Sequence, residues 1–240
     1  MKESKKLGIK HNIEKTWSQF YSIKFEIDIS LDAVKKMISI QNNSLWELDE
    51  ELDKKINATS RSSAFETEQE LDMYVSHLHG IEESIIVEFG KIQVANHISA
   101  IFSIFENKLK SLCDKLDKDF QVEPIEKKGS YIPYYWKILQ TFLKDNSKPI
   151  EKLYTPIYNK YVVRNVMHHQ DGIAKKSQYQ MFKHLTNIET LESEETYYIY
   201  EISPSFCNTL VTEIELFFRI LLAAVKEKTT ELIAIDECPM

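Results

Sequence analysis

Between residues 64 and 119 the chain contains no proline and only two glycines, Gly80 and Gly90, while apolar residues return every three or four positions. Leu71, Tyr74, Leu78, Ile81, Ile85, Phe89 and Ile92 carry the first half of the pattern, and Ile98, Ile101, Phe102, Phe105, Leu109, Leu112 and Leu116 the second. That spacing keeps one face of a 3.6-residue helix apolar over its whole length. It predicts one long helix or two nearly collinear ones as the spine of an all-α, up-and-down helical bundle. The whole chain agrees, since only 5 glycines and 6 prolines occur in 240 residues. All-β folds need many turns, and dinucleotide-binding folds need glycine-rich ones.

Upstream, Ile13, Trp17, Phe20 and Tyr21 follow helical spacing, whereas Ile23, Phe25, Ile27 and Ile29 alternate as in a strand. Helix is favoured here. Ser30 or Asp32 is placed to cap a second helix carrying Val34, Met37, Ile38, Leu45, Leu48 and Leu52. The polar run over residues 57–63 reads as a linker, dividing an N-terminal helical extension (1–63) from a helical bundle domain (64–240).

Downstream, Pro124, Gly129 and Pro133 mark a loop, followed by a short helix ending near Asn146. Ser147 is placed to cap the next helix, which is expected to run to about His169 and to stop near Gly172, with Pro156 kinking it or delaying its start. Residues 188–203 combine an acidic stretch with Tyr197, Tyr198, Ile199 and Tyr200, predicting a small β-hairpin or flap. The acidic run reads as a solvated loop, or as a flap that mimics RNA phosphate and shields a basic cleft. A last helix is expected over 205–228.

Cys113, Cys207 and Cys238 are widely separated and lack CxxC spacing, which argues against a disulfide framework or a zinc site and fits a reducing compartment. His77, His79 and His97 lie on the long helix with no acidic residue to complete a metal set, so they read as solvated or packed histidines. Neither a secretory signal nor a membrane span is expected, the apolar stretch at residues 217–225 being too short and interrupted by Arg219. A cytoplasmic location follows as the expectation.

The polar end of the helix expected to reach His169 carries the chemistry. At about 100° per residue, Arg164 and His168 share a face, as do Asn165 and His169, and together they form one polar arc. Imidazoles exchange protons near neutral pH, and a guanidinium matches phosphate oxygens, a pairing suited to phosphoryl transfer. Between residues 148 and 184 seven basic residues face two acidic ones, a local charge of +5 in a chain of net charge −7. Lys160, Lys175 and Lys176 are candidate phosphate contacts, and Tyr161 is a candidate base-stacking or core residue. A two-fold dimer would bring two such arcs into one cleft.

The string Arg164-Asn165-Val166-Met167-His168-His169 resembles the R-x4-6-H motif of the HEPN superfamily, in the variant with asparagine directly after the arginine. The polar Gln170-Asp171-Gly172 is similar to the glycine-ended tail of many members. The resemblance implies an all-α bundle over about 65–228, a homodimer with a composite active site, and RNA cleavage without metal or other cofactor, commonly in toxin–antitoxin or antiviral defence. Arg164, Asn165 and His169 then take the motif positions as catalytic residues, with His168 auxiliary, although helix geometry alone pairs Arg164 with His168. RNA is the implied substrate, and an antitoxin or sensor protein a further partner. Asp171 stands where members silenced by nucleotidylation carry tyrosine, which speaks against that form of control. The alternative is a noncatalytic helical module that binds RNA or protein through the same patch.

Overall fold

A computed structural model describes the backbone of residues 2–62, 67–122, 125–194 and 196–235; side chains are described over the same residues except 2–17, 19, 62, 234 and 235. The expected spine is one uninterrupted helix. In chain order the elements are α1 (Lys2–Ser62), α2 (Glu68–Phe120), α3 (Tyr131–Leu143), a 3-10 turn (Lys144–Ser147), α4 (Lys148–His169), β1 (Ile173–Lys175), α5 (Lys176–Phe182), β2 (Ile188–Ser193), β3 (Thr196–Ile202) and α6 (Ser205–Ile235). The architecture is an all-α bundle with a small antiparallel sheet of order β1-β3-β2.

Three local expectations are corrected. α1 runs through Ser30 and Asp32 without a cap, and the Ser30 hydroxyl donates instead to the Glu26 carbonyl one turn back (2.7 Å). Residues 57–62 are helical rather than a linker, with Asn57 donating to the Asp53 carbonyl (2.8 Å) and Ser60 to that of Ile56 (2.9 Å); residue 63 lies outside the described residues. Ser147 closes the 3-10 turn by donating to the Lys144 carbonyl (2.7 Å) and does not cap α4. Pro156 is accommodated inside α4.

Contacts gather the chain into two compact units rather than dividing it at residue 63: Met1–Ala33, Ala100–Val163 and Asn208–Met240 form the first, and Val34–Ser99 and Arg164–Cys207 the second. The first unit owes its core to the second half of the α2 pattern. Ile101, Phe105, Leu109, Leu112 and Leu116 are fully buried with Leu31 of α1, Leu139 of α3, Ile157 of α4 and Leu221 and Val225 of α6. Phe105 meets Phe217 and Phe218 edge-on at 5.4 and 5.5 Å, and Trp136 stacks on Tyr154 at 4.7 Å. Truncating Phe105 to alanine removes the centre of that cluster, a change that costs about 3–5 kcal/mol in such cores.

In the second unit residues 34–62 of α1 pair antiparallel with residues 68–99 of α2, because Gln41 meets His97, Lys55 meets Glu82 (2.5 Å) and Thr59 meets His79 (3.0 Å). Leu45 packs on Gly90, where a methyl group would lie 3.7 Å from it. The remainder is the last turn of α4, the sheet and α5. β3 is the central strand, and its Tyr197 stacks on Tyr179 of α5 with ring centroids 4.0 Å apart. Cys113 in the first unit and Cys207 in the second are buried free thiols, and burial pushes that of Cys207 up to about 12; Cys238 lies outside the described residues.

Candidate active site

α4 ends at His169, and its termination fixes where the polar arc points. The Gln170 and Gly172 amides both donate to the Val166 carbonyl (3.1 Å each), and Asp171 and Gly172 take left-handed backbone angles (φ 49° and 78°). The chain then turns directly into β1, and the Ile199 amide of β3 donates to the Gly172 carbonyl (2.9 Å). Glycine is favoured at 172, where the backbone is left-handed and a Cβ would sit 3.1 Å from the Ile199 carbonyl oxygen.

Arg164 and Asn165 are half-buried, and both histidines are exposed. Arg164 Nη1 donates to Asn165 Oδ1 (3.1 Å) and lies 3.4 Å from His169 Nε2. With the guanidinium as donor, Nε2 is the acceptor, and the proton of a neutral ring sits on Nδ1. Arg164 Nε is buried with no partner among the described residues. The arginine thus joins the asparagine and the i+5 histidine through one terminal nitrogen.

His168 has other ties. Its Nε2 meets the Ser99 hydroxyl, which itself donates to the Ala95 carbonyl one turn earlier on α2 (2.9 Å). Partial desolvation pushes the His168 imidazole below its usual range, the nearby Arg164 and His169 charges act in the same direction, and a hydrogen bond to the Ala95 backbone opposes them. The chain's spacing alone gave no sign of Ser99, which lies 69 positions away.

The remaining candidates separate. Lys175 and Lys176 are exposed at the β1–α5 junction, in the same unit as the arc. Lys160 belongs to the first unit and is not a solvent-facing phosphate contact: it is 2% exposed and pairs with Glu213 of α6 at 2.5 Å. Tyr161 is likewise a core residue, 7% exposed and edge-on to Phe102 at 5.4 Å, and is not available for base stacking. Apolar neighbours on α4 explain both outcomes, because the face that carries 154, 157 and 161 enters the core of the first unit.

Beside the arc, an open cleft of about 390 Å³ is lined by Lys91, Ile92 and Ala95 of α2, Met167 of α4, and Ile199 and Tyr200 of β3. The acidic residues of β2 have cross-strand partners: Tyr197 donates to Glu192 (3.0 Å) and Tyr200 to Glu189. Among the described residues no three histidine, cysteine or acidic side chains gather as metal ligands, and no helix is long and apolar enough to cross a membrane. Comparison of the chain with protein-family models, with curated proteins and with solved structures finds no match.

Proposed function

We propose that the protein is an endoribonuclease of the HEPN type that cleaves tRNA or mRNA without metal, at a site completed by a second copy of the chain. The observation that carries this reading is the arrangement of Arg164 with Asn165 Oδ1 on one side and His169 Nε2 on the other. Cleavage needs a proton taken from the 2'-hydroxyl, a proton given to the leaving 5'-oxygen and a cation for the charged pentacoordinate phosphorus. One chain offers a single Arg164–His169 pair, because His168 is engaged by Ser99; two copies supply an acid and a base. His169 acts in proton transfer, Arg164 stabilises the phosphorane, and Asn165 holds the guanidinium. Lys175 and Lys176 serve the RNA backbone, and His168 is an auxiliary residue held against α2 by Ser99. Toxin–antitoxin or antiviral defence is the fitting setting, with an antitoxin or sensor as further partner.

The test is incubation of purified wild type, Arg164→Ala and His169→Ala with total tRNA and mRNA, followed by mapping of cut ends. Products should carry 2',3'-cyclic phosphate and 5'-hydroxyl ends, chelation of magnesium should leave the rate intact, and either variant should lose roughly 10²-fold or more. Unchanged cleavage in both variants refutes the assignment. RNA that is bound but never cut would favour the noncatalytic module.

A further inference from the structure

Within the first unit, the last turns of α2, Val122 and Ile125 of the loop that follows and the first half of α3 border a cavity of about 350 Å³. Its walls are of two kinds. Val122, Ile125 and the rings of Tyr134 and Tyr135 are largely apolar, and the only acidic or basic side chains among the described lining residues are the carboxylates of Asp114 and Asp117. We propose that this cavity binds an aliphatic diammonium ion, a short diamine or polyamine, with one ammonium at each carboxylate and the carbon chain laid against the tyrosine rings.

The two aspartates lie three positions apart on α2, which puts their Cβ atoms about 5–6 Å apart on one helix face. The nitrogens of a three- or four-carbon diamine have a similar spacing when the chain is extended. Both aspartates are exposed, and neither has an ion-pair partner among the described residues. Lys115, beside them in the sequence, pairs instead with Asp119 at 2.8 Å. A third polar group at the cavity is also uncommitted. Tyr135 is 7% exposed, and its hydroxyl has no hydrogen-bond partner among the described residues. Partial desolvation raises that hydroxyl above its ordinary range, and the Asp114 and Glu106 charges add to the effect, as expected where the local field is negative.

An ammonium answers each of these groups. It carries three donors, enough to reach a carboxylate oxygen and the Tyr135 hydroxyl oxygen together. Its charge is also attracted to an aromatic face. The chain shows that preference next door: the Lys127 ammonium lies 3.1 Å from the centre of the Tyr131 ring, which stacks on Tyr135 at 5.9 Å. A metal ion gains nothing from ring and aliphatic walls, and two carboxylates fall short of the oxygen set that a hard cation takes. A single ammonium would leave one carboxylate without a partner.

The inference is independent of the ribonuclease reading, and its test contains no RNA. Calorimetric titration of the full chain with 1,4-diaminobutane should show one site per chain with a Kd on the order of 1 mM or tighter. n-Butylamine should bind roughly tenfold more weakly, for want of the second charge. Asp114→Asn/Asp117→Asn should weaken diamine binding roughly tenfold or more, and Tyr134→Leu a few-fold, each with unchanged helicity by circular dichroism. Magnesium chloride should compete no better than sodium chloride at equal ionic strength. Absence of binding overturns the proposal, as does binding that survives the asparagine pair or is matched by n-butylamine. Displacement by magnesium makes this a site for an inorganic cation, and wild-type affinity in Tyr134→Leu reduces it to a bare acidic patch; either result refutes the diamine. Should the asparagine pair lose helicity, Tyr134→Leu and the n-butylamine comparison decide.

Discussion

The Ser99 hydroxyl and the His168 ring hold one another across 69 positions of chain, anchoring the i+4 histidine to α2 while Arg164 reaches the i+5 histidine instead. The two adjacent imidazoles therefore differ in their partners. His168→Ala and Ser99→Ala should each keep RNA cleavage within about tenfold of wild type, whereas His169→Ala should lose roughly 10²-fold or more, as for removal of a general acid or base. Rates measured on one labelled RNA check this. The reverse ranking would make His168 the reagent.

Acid should destabilise the fold partly through His97. Its side chain is 2% exposed and meets Gln41, and burial holds the imidazole below its ordinary range. The unfolded chain therefore binds the proton more readily. Stability from this group is complete above the unfolded value of about 6.5 and is lost as pH falls through the lower folded value. Melting temperatures between pH 7.5 and 5 should fall, and His97→Gln, which keeps a partner for Gln41, should flatten the slope. An unaltered slope in the variant removes His97 from the account.

Lys160→Ala should behave as a folding defect. Removing Lys160 from this half-buried ion pair leaves Glu213, whose side chain is 30% exposed, short of a partner at about 1–3 kcal/mol. Glu213 Oε2 is already buried without a partner among the described residues, so it has little to fall back on. Denaturant unfolding should show the loss, and Lys160→Met/Glu213→Leu should recover most of it. If cleavage per folded molecule falls while stability holds, the lysine belongs to the site after all.

Gly172→Ala should cost about 1–2 kcal/mol, from the left-handed backbone and the crowding against the Ile199 carbonyl together. Chemical denaturation of the purified variant measures it. Asp171→Gly, which relieves a left-handed non-glycine residue next door, should move stability the other way.

Periodicity made α2 legible because each apolar residue there repeats the message of its neighbours. The same rule is ambiguous around residues 23–29, where helix is favoured and is found: alternation of Ile23, Phe25, Ile27 and Ile29 also fits a strand, but Ile23 and Ile27 are buried one helical turn apart while Phe25 and Ile29 face solvent. Exposed apolar side chains thus disguised a helix. In the candidate site, the positions of Arg164, Asn165 and His169 on one helix end were legible, since they depend on local geometry. Ser99 and the burial of Lys160 were not, because they depend on residues 69 and 53 positions away.

The suture between Gly172 and Ile199 makes the last turn of α4 and the central strand of the sheet a single cooperative element. Its amides should exchange with solvent as one set, and protection of the Ile199 amide should report on the order of the histidine-bearing turn. Whatever grips or peels the β2–β3 hairpin therefore acts on His168 and His169 through the backbone, without touching either ring.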